Sequence, residues 1–366
     1  MTSAVRPIRT HAPVLREIGL LALFALFAVV YTWPLARDLE NLVSDPGDPL
    51  LNTWILDWVL HSLTHDPLSL YDAPMFAGAK FPLAFSENLV GIAILVLPLK
   101  LAGFTPLAIH NLAMLLGFTL SAYGASVLAR TAGASVKASL LAGISFGFGQ
   151  FFFDHLAHLQ VVSAGWLPLM LAGLIRLLRR GTWGSAALFA AAFAMNGLTN
   201  VYWLLFGGVT AVATALFAVA VDPSFRDRAR LVKVVLAFAA AGLVLLPFLI
   251  PYRVVSETYE LERRWIDIEA GSATPVDYFR PAPQNRLHGS FATPYVPERQ
   301  LATGLVPLLL ALTALFLTPR RDPTDVLPGS TSLEQGSGAL LQPTFLRQRL
   351  LRGLDVTAVL LGILAY

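Results

Sequence analysis

The sequence predicts an all-α polytopic membrane protein. Of its 366 residues, 56% are hydrophobic and only 13% are charged, and the mean hydropathy is +0.65. A water-soluble core of this size could not hide so much apolar surface, so lipid must cover much of it. Several nearly uncharged runs approach the roughly 20 residues that a helix needs to cross a bilayer. These runs are residues 19–31, 107–128, 186–197, 201–221 and 231–250.

The composition also excludes several kinds of chemistry. The chain has no cysteine, which rules out disulfides, thiol nucleophiles and thiolate metal sites. Its net charge of +3 would suggest an anionic partner in a soluble protein. Lysines and arginines that flank membrane spans account for this charge, so we expect no nucleic-acid partner.

The positions of lysine and arginine predict the orientation, because short cytoplasmic loops hold an excess of them. Residues 37–87 contain many acidic side chains and only two basic ones, which predicts that this segment lies outside. The N-terminus is then expected inside. The five basic clusters are Arg6/Arg9/Arg16, Arg130/Lys137, Arg176/Arg179/Arg180, Arg226/Arg228/Arg230/Lys233 and the group from Arg320 to Arg352.

With all five clusters inside, the chain crosses the membrane about eight times. The apolar run 88–101 is short for a span, and counting it as a ninth would reverse every later loop, so we expect an interfacial or re-entrant helix there. The predicted spans are residues 17–36, 106–129, 138–153, 161–178, 184–199, 201–221, 231–251 and 301–318.

This threading divides the chain into a transmembrane domain at residues 1–318 and a shorter C-terminal part. Residues 319–353 are expected to form a flexible cytoplasmic linker, and residues 354–366 the start of a further, truncated membrane helix. The transmembrane domain has three external segments. They are a first loop at 37–105, a polar turn at 154–160 and a long loop at 252–300.

A juxtamembrane helix is predicted within the first loop, at about residues 50–65. Leu51, Trp54, Ile55 and Trp58 recur at helical spacing, while the polar residues take another face. Tryptophans suit the headgroup region, so this helix is expected on the membrane surface.

Asp45 and Asp48 form the first candidate site, in a Pro/Gly turn just before that helix. A carboxylate pair at the bilayer surface could act as a general base or bind a divalent cation. The alternative is purely structural: Asp48 caps the helix and Asp45 makes the turn.

Asp154, His155, His158 and Gln160 form a second polar motif between two apolar runs. Ionisable residues at a membrane boundary are often functional, and the histidines could bind metal together with Asp154. Two histidines and one aspartate are a weak metal signature, and an interfacial turn explains the motif equally well.

Arginines in the last external loop lie on the side of the membrane where basic residues are normally sparse. Their forked donors suit a phosphate or pyrophosphate at the membrane surface. Pairing with the acidic residues of the same loop is the alternative. The candidates are Arg263, Arg264, Arg280 and Arg299.

The order of these features resembles the C superfamily (GT-C) of membrane glycosyltransferases, including uncharacterised bacterial members. It comprises a first span, an acidic first external loop, juxtamembrane helices, a second polar motif and a late external loop, and it covers most of residues 15–318. The stretches that carry it are Gly47-Asp48-Pro49-Leu50-Leu51-Asn52-Thr53-Trp54, Ser86-Glu87-Asn88-Leu89 and His155-Leu156-Ala157-His158-Leu159-Gln160.

The resemblance implies a GT-C-like bundle of about eight to nine transmembrane helices in a bacterial cytoplasmic (inner) membrane. It implies transfer of a sugar from a polyprenyl-phosphate donor to an envelope acceptor on the external face. Asp48 or Asp45 would be the base, the second motif would complete the site, and the loop arginines would hold the lipid phosphate. A divalent cation (Mg or Mn) on Asp45, Asp48, Asp154 and His155 is compatible with it, although the histidines depart from the acidic pair of metal-dependent members.

Two other functions are compatible with the sequence. A transporter or lipid-handling protein would place polar groups at mid-membrane depth in broken helices, and Pro168, Pro247 and Pro307 lie within apolar runs. In a membrane scaffold every acidic residue would be a cap or a surface charge.

Overall fold

A computed structural model describes residues 12–282, 285, 289 and 298–317. Within these residues the regular structure is entirely helical. The linker predicted at 319–353 and the helix start predicted at 354–366 lie outside the described residues. The α-helices are α1 Ala12–Tyr31, α2 Asp48–His65, α3 Val90–Leu101, α4 Pro106–Ala132, α5 Val136–Gly147, α6 Gln150–Asp154, α7 Leu159–Val162, α8 Trp166–Arg180, α9 Trp183–Thr199, α10 Val201–Val221, α11 Arg228–Thr258, α12 Trp265–Gly271 and α13 Leu305–Leu317.

Six helical segments among the described residues are long and apolar enough to cross a membrane, which confirms the all-α membrane fold. Two more spans were predicted, at 184–199 and 301–318. Their helices α9 and α13 have 17 and 13 described residues and are too short to count among the six. The six are Pro13–Tyr31, Pro106–Ala132, Val136–Asp154, Leu159–Arg180, Val201–Val221 and Arg228–Thr258.

The turns between these helices carry local signals that begin and end them. The side chains of Ser135 and Thr182 accept hydrogen bonds from the first turns of α5 and α9, and Asn200 does the same for α10. Gly133 and Gly181 end α4 and α8 in the left-handed conformation that favours glycine. Sharp reversals after α4 and α8 follow from these signals.

Helix α4 is central, with α1, α5 and α8 packed around it. Close approach depends on small residues: a Cβ on Gly147 of α5 would lie 2.5 Å from Ala122, and one on Gly165 would lie 2.6 Å from the Leu120 backbone. Within a bilayer, such contacts stabilise helix pairs by van der Waals packing.

The alternating helices place polar residues at two opposite ends of the bundle. One end collects the basic clusters, because Arg130 contacts Glu17, Arg179 donates to Thr131 O, and Arg230 donates to Leu178 O. We call this the basic end. The opposite end, where α1 finishes, α6 meets α7 and α9 meets α10, carries the long loops and is called the loop end.

The first loop folds against the bundle through α2 and α3, which contact each other and α4. A helix was predicted at about residues 50–65, and α2 confirms it with bounds that agree within two residues. Its buried face is Ile55, Leu56, Val59 and Leu60, whereas Leu51 and Trp54 are exposed. That this exposed face lies on the membrane surface stays a prediction. Helix α3, at 12 residues, is as short as the run 88–101 predicts.

Glu17 and Arg130 join α1 to α4 at the basic end. Arg130 Nη1 and Nη2 donate to the two carboxylate oxygens at 2.7 and 2.8 Å, and the two side chains are only 28% and 16% exposed. Paired guanidinium and carboxylate groups in this forked geometry form strong hydrogen bonds. The pair compensates for the small buried area of α1.

Glu17→Gln is expected to lower the free energy of unfolding in detergent by about 1–3 kcal/mol, because it leaves the half-buried Arg130 without its countercharge. Denaturation by SDS, followed by circular dichroism, measures the loss. The matched control is Glu257→Gln in the exposed Arg253 pair, which should have a much smaller effect. Equal effects of the two substitutions would contradict the structural role of Glu17.

Candidate functional site

The turn from Asp45 to Asp48 leads into α2 at the loop end. Asp45 Oδ1 accepts a hydrogen bond from Gly47 N at 2.8 Å, which is the geometry of an aspartate turn. Asp48 is the first residue of α2 and makes no capping hydrogen bond. The turn alternative therefore accounts for Asp45, whereas the cap alternative is wrong for Asp48. The helix dipole favours a negative charge at this position.

His158 joins the first loop to the last one. Its Nδ1 lies 3.4 Å from Asp48 Oδ2, and its Nε2 lies 2.7 Å from Glu298 Oε1. A protonated imidazole can donate to both carboxylates at once, whereas a neutral one can donate to only one. Both carboxylate side chains are 55% exposed, while His158 is 21% exposed. The carboxylates of Asp48 and Glu298 are therefore accessible to a ligand, and the less exposed imidazole of His158 lies between them.

First-loop side chains hold the backbone of the second polar motif. Asn52 Nδ2 donates to Ala157 O at 3.1 Å, and Ser44 Oγ donates to Leu156 O at 3.4 Å. On the other side, Trp203 Nε1 donates to Gln160 O at 3.2 Å. These contacts fix the position of His158 relative to Asp48. Gln160 takes part through its carbonyl, and its side-chain oxygen is buried without a hydrogen bond.

His155 lies beneath this turn and does not reach the aspartates. Its Nδ1 is 2.8 Å from Phe151 O, and its ring packs on the Phe151 ring. Burial lowers the pKa of His155, so its imidazole is neutral at pH 7. Its carbonyl accepts a hydrogen bond from the His158 backbone, so His155 shapes the turn.

Asp154 faces the last loop. Its Oδ2 accepts a long hydrogen bond of 3.5 Å from Gln300 N. One turn earlier, Gln150 Nε2 donates to the carbonyls of Arg280 and Gln300 at 3.1 Å each. Helix α6 thus binds the backbone of the last loop at residues 280 and 300, and Glu298 lies between them in the sequence.

Two of the predicted phosphate-binding arginines instead bind a buried carboxylate. Arg299 donates to Asp277 Oδ2 at 2.7 Å, and Arg280 Nη1 lies 3.1 Å from Asp277 Oδ1. A backbone hydrogen bond from Thr274, together with Arg299, lowers the pKa of Asp277 to about 2. Here the alternative of pairing within the loop is the one observed.

The other two arginine candidates differ from each other. Arg264 donates twice to Asp267, three residues later on the same helix turn. Arg263 contacts the hydroxyl of Tyr202 at 3.4 Å and has no carboxylate partner among the described residues. Of the four predicted cations, Arg263 is the most available to an anionic ligand.

The predicted metal ligands are not gathered around one point. Asp45 is committed to its own turn and His155 to a backbone carbonyl, while Asp48 and Glu298 bind opposite nitrogens of one imidazole. Across the described residues no group of three or more potential ligands is arranged to hold a metal ion. These residues as placed do not fit the predicted metal set.

Glu87 is a second acidic residue with a perturbed environment at the loop end. It accepts a hydrogen bond from Val201 N at the start of α10, and burial raises its pKa to about 7. Tyr252 closes the same region by donating to Ser86 O at 2.9 Å. Glu87 therefore changes protonation near neutral pH, apart from the Asp48 site.

Sequence reasoning missed Glu298 as a site residue and Asp277 as the centre of an ion cluster. Both belong to the acidic residues of the last loop, which the sequence offers only as a group of possible partners for the loop arginines. The sequence signal for both is the mixture of acidic residues and arginines in the last loop. It indicates that these residues pair, but it does not show which acidic residue contacts the site.

Comparison with known protein families, with curated proteins and with solved structures finds no match for this chain.

Asp277→Asn is expected to loosen the last loop, because it removes the charge that holds Arg280 and Arg299. Limited trypsin digestion should then cleave after Arg299, which is followed by Gln300, faster than in the wild type. Lowering the pH of the wild type from about 4 toward 2 should loosen the loop in the same way, and digestion with pepsin, which is active in this range, follows it. A carboxyl with a lowered folded pKa contributes stability above its unfolded pKa and loses it as the pH falls.

Asp267→Asn serves as the control, since it breaks only the exposed pair with Arg264. Cleavage after Arg299 at the same rate in both variants would show that Asp277 does not secure the loop.

Proposed function

We propose that this protein is a membrane glycosyltransferase that moves a sugar from a polyprenyl-phosphate donor to an acceptor of the cell envelope. The observation that supports it best is the contact of Asp48 with His158 and of His158 with Glu298. Three segments far apart in the chain thereby bring two exposed carboxylates and an imidazole together at one end of a helical bundle. A general base for an acceptor hydroxyl requires groups of this kind.

The proposal includes an orientation. Short cytoplasmic loops hold the excess of lysine and arginine, so the basic end faces the cytoplasm and the N-terminus is inside. The loop end then faces outward from a bacterial cytoplasmic membrane. Completion of α9 and α13 as spans gives the bundle eight transmembrane helices, with α2 and α3 lying at the external surface.

In the proposed reaction, the acceptor hydroxyl oxygen attacks the anomeric carbon of the sugar. A new carbon–oxygen bond forms, and the bond from that carbon to the phosphate oxygen breaks. Asp48 takes the hydroxyl proton, and the polyprenyl phosphate leaves with the bonding electrons. His158 orients the Asp48 carboxylate, and Glu298 holds the other side of the imidazole.

Arg263 is proposed to stabilise the leaving phosphate. Negative charge develops on this group as the bond breaks, and an available guanidinium stabilises it. Arg280 and Arg299 share the carboxylate of Asp277, and their side chains are only 15% and 22% exposed, so they are less accessible to a ligand than Arg263. The requirement for a divalent cation stays a prediction that rests on the family resemblance.

A transporter is the competing function, because α5–α6 and α7–α8 are interrupted helices. These interruptions, at residues 148–149 and 163–165, lie within about two turns of the loop end. The polar groups beside them, Asp154 and His158, lie at that end as well. Their position at the surface favours chemistry there over passage through the middle of the bilayer.

Asp48→Asn is expected to reduce sugar transfer by about a hundredfold or more, since the amide cannot accept the proton. Release of polyprenyl phosphate from a polyprenyl-phosphate sugar by the purified full-length protein measures this. Asp45→Asn is the matched control and should retain most activity, because an amide oxygen can still accept the Gly47 hydrogen bond. Full activity of a folded Asp48→Asn protein would refute the base assignment.

Arg263→Gln should lower kcat/KM for the donor by roughly tenfold, the cost of one charge-assisted contact to phosphate. Arg264→Gln removes the same charge from the neighbouring position, whose guanidinium already pairs with Asp267, and should change little. The same assay with a chelator, and then with added Mg or Mn, tests the cation. Equal losses in both arginine variants would indicate a general effect of loop charge.

A further inference from the structure

A second feature lies at the basic end, on a face formed by the last turns of α4 and α8, where Arg179 donates to Thr131 O. Nearer the loop end, Ile92 and Leu95 of α3 lie beside Leu116 and Leu120 of α4. Tyr123, further along α4, is half-buried, and its hydroxyl donates to Glu17 of α1 at 3.1 Å.

The charges at this face are unbalanced. Glu17 accepts two hydrogen bonds from Arg130 and is also bound by Arg16, so its carboxylate is fully used. Arg176 lies one turn inside the end of α8 and is half-buried. It has no hydrogen bond or ion pair to the described residues, and two further cations, Arg179 and Arg180, follow it in the last turn of α8.

An unpaired guanidinium at this depth is costly unless an anion accompanies it. The other half-buried cations described at the basic end have partners: Arg130 binds Glu17, and Arg179, Arg230 and Lys233 donate to the carbonyls that end α4 and α8. Arg176 is therefore the cation at this face for which the described part of the chain supplies no acceptor.

We propose that Arg176 binds the phosphate of an anionic phospholipid, with Arg180 at the rim of the site. One acyl chain would lie along the stripe of Tyr123, Leu120 and Leu116, toward the edge of α3. The half-buried residues Leu116, Leu120, Tyr123 and Arg130 recur at helical spacing on α4, so the apolar stripe leads directly to the basic cluster.

The apolar stripe is the reason to infer a lipid and not free phosphate. A soluble anion would gain from Arg176 and Arg180 alone, whereas a phospholipid also covers the apolar side chains beside them. Basic pockets between membrane helices are suited to such headgroups. This site lies at the opposite end of the bundle from Asp48, so its test is independent of sugar transfer.

Native mass spectrometry of the full-length protein in detergent tests the proposal. The probes are dioleoyl phosphatidylglycerol, dioleoyl phosphatidylcholine and inorganic phosphate. Wild-type protein should retain phosphatidylglycerol in preference to phosphatidylcholine, and Arg176→Gln should weaken this binding by roughly tenfold. Arg176→Lys, which keeps the charge, should retain the preference, and this separates loss of charge from loss of fold.

Arg228→Gln is the matched control, because Arg228 is an exposed cation at the same end but outside this face. It should bind phosphatidylglycerol as the wild type does. Equal retention of the two lipids, or equal losses in Arg228→Gln and Arg176→Gln, would overturn the proposal. Displacement of phosphatidylglycerol by millimolar inorganic phosphate would also overturn it, since the site would then recognise the free anion.

Discussion

Lipid can neither hydrogen-bond to a backbone group nor solvate a charge, and the arrangement of this protein depends on that constraint. Its long apolar helices carry charged residues only near their ends, so the charges collect in two separate layers. At the basic end, arginines and a lysine satisfy the last carbonyls of α4 and α8. At the loop end, the helix breaks around α6 and α7 expose hydrogen-bonding groups that the two long loops satisfy.

The loop end shows how such pairing produces a site. Asn52 and Ser44 bind carbonyls of the polar turn, and Gln150 binds carbonyls of the last loop, so both loops dock on the same short stretch. His158 is the side chain that both loops then reach. Asp277 binds two arginines of the last loop, while Glu298 of the same loop contacts the imidazole.

The membrane fold was predictable because hydropathy and the distribution of lysine and arginine are local properties of the sequence. Helix α2, the short α3 and the grouping of basic clusters at one end followed from them. Which residues of α2 are buried was not predictable, since the helices that it packs against, α3 and α4, come later in the chain. The family resemblance and the function inferred from it remain predictions.

The individual site contacts were harder to foresee. Asp48 and His158 each stood out as polar residues near a span end, and the structure brings them together. Glu298 approaches His158 across 140 positions of sequence, and nothing in its neighbourhood separates it from the other acids of the loop. Whether Arg280 and Arg299 are available to a phosphate depends on whether Asp277 lies inside the folded loop and binds them. The sequence does not show this, because it depends on the three-dimensional fold of the loop.

The most direct test of the central claim is to incubate the purified full-length protein with polyprenyl-phosphate sugars and an envelope acceptor, and to measure both products. The account predicts that polyprenyl phosphate and glycosylated acceptor appear in equal amounts, and that His158→Gln reduces both together. No release from any such donor by the folded protein, or release that His158→Gln leaves unchanged, would contradict it.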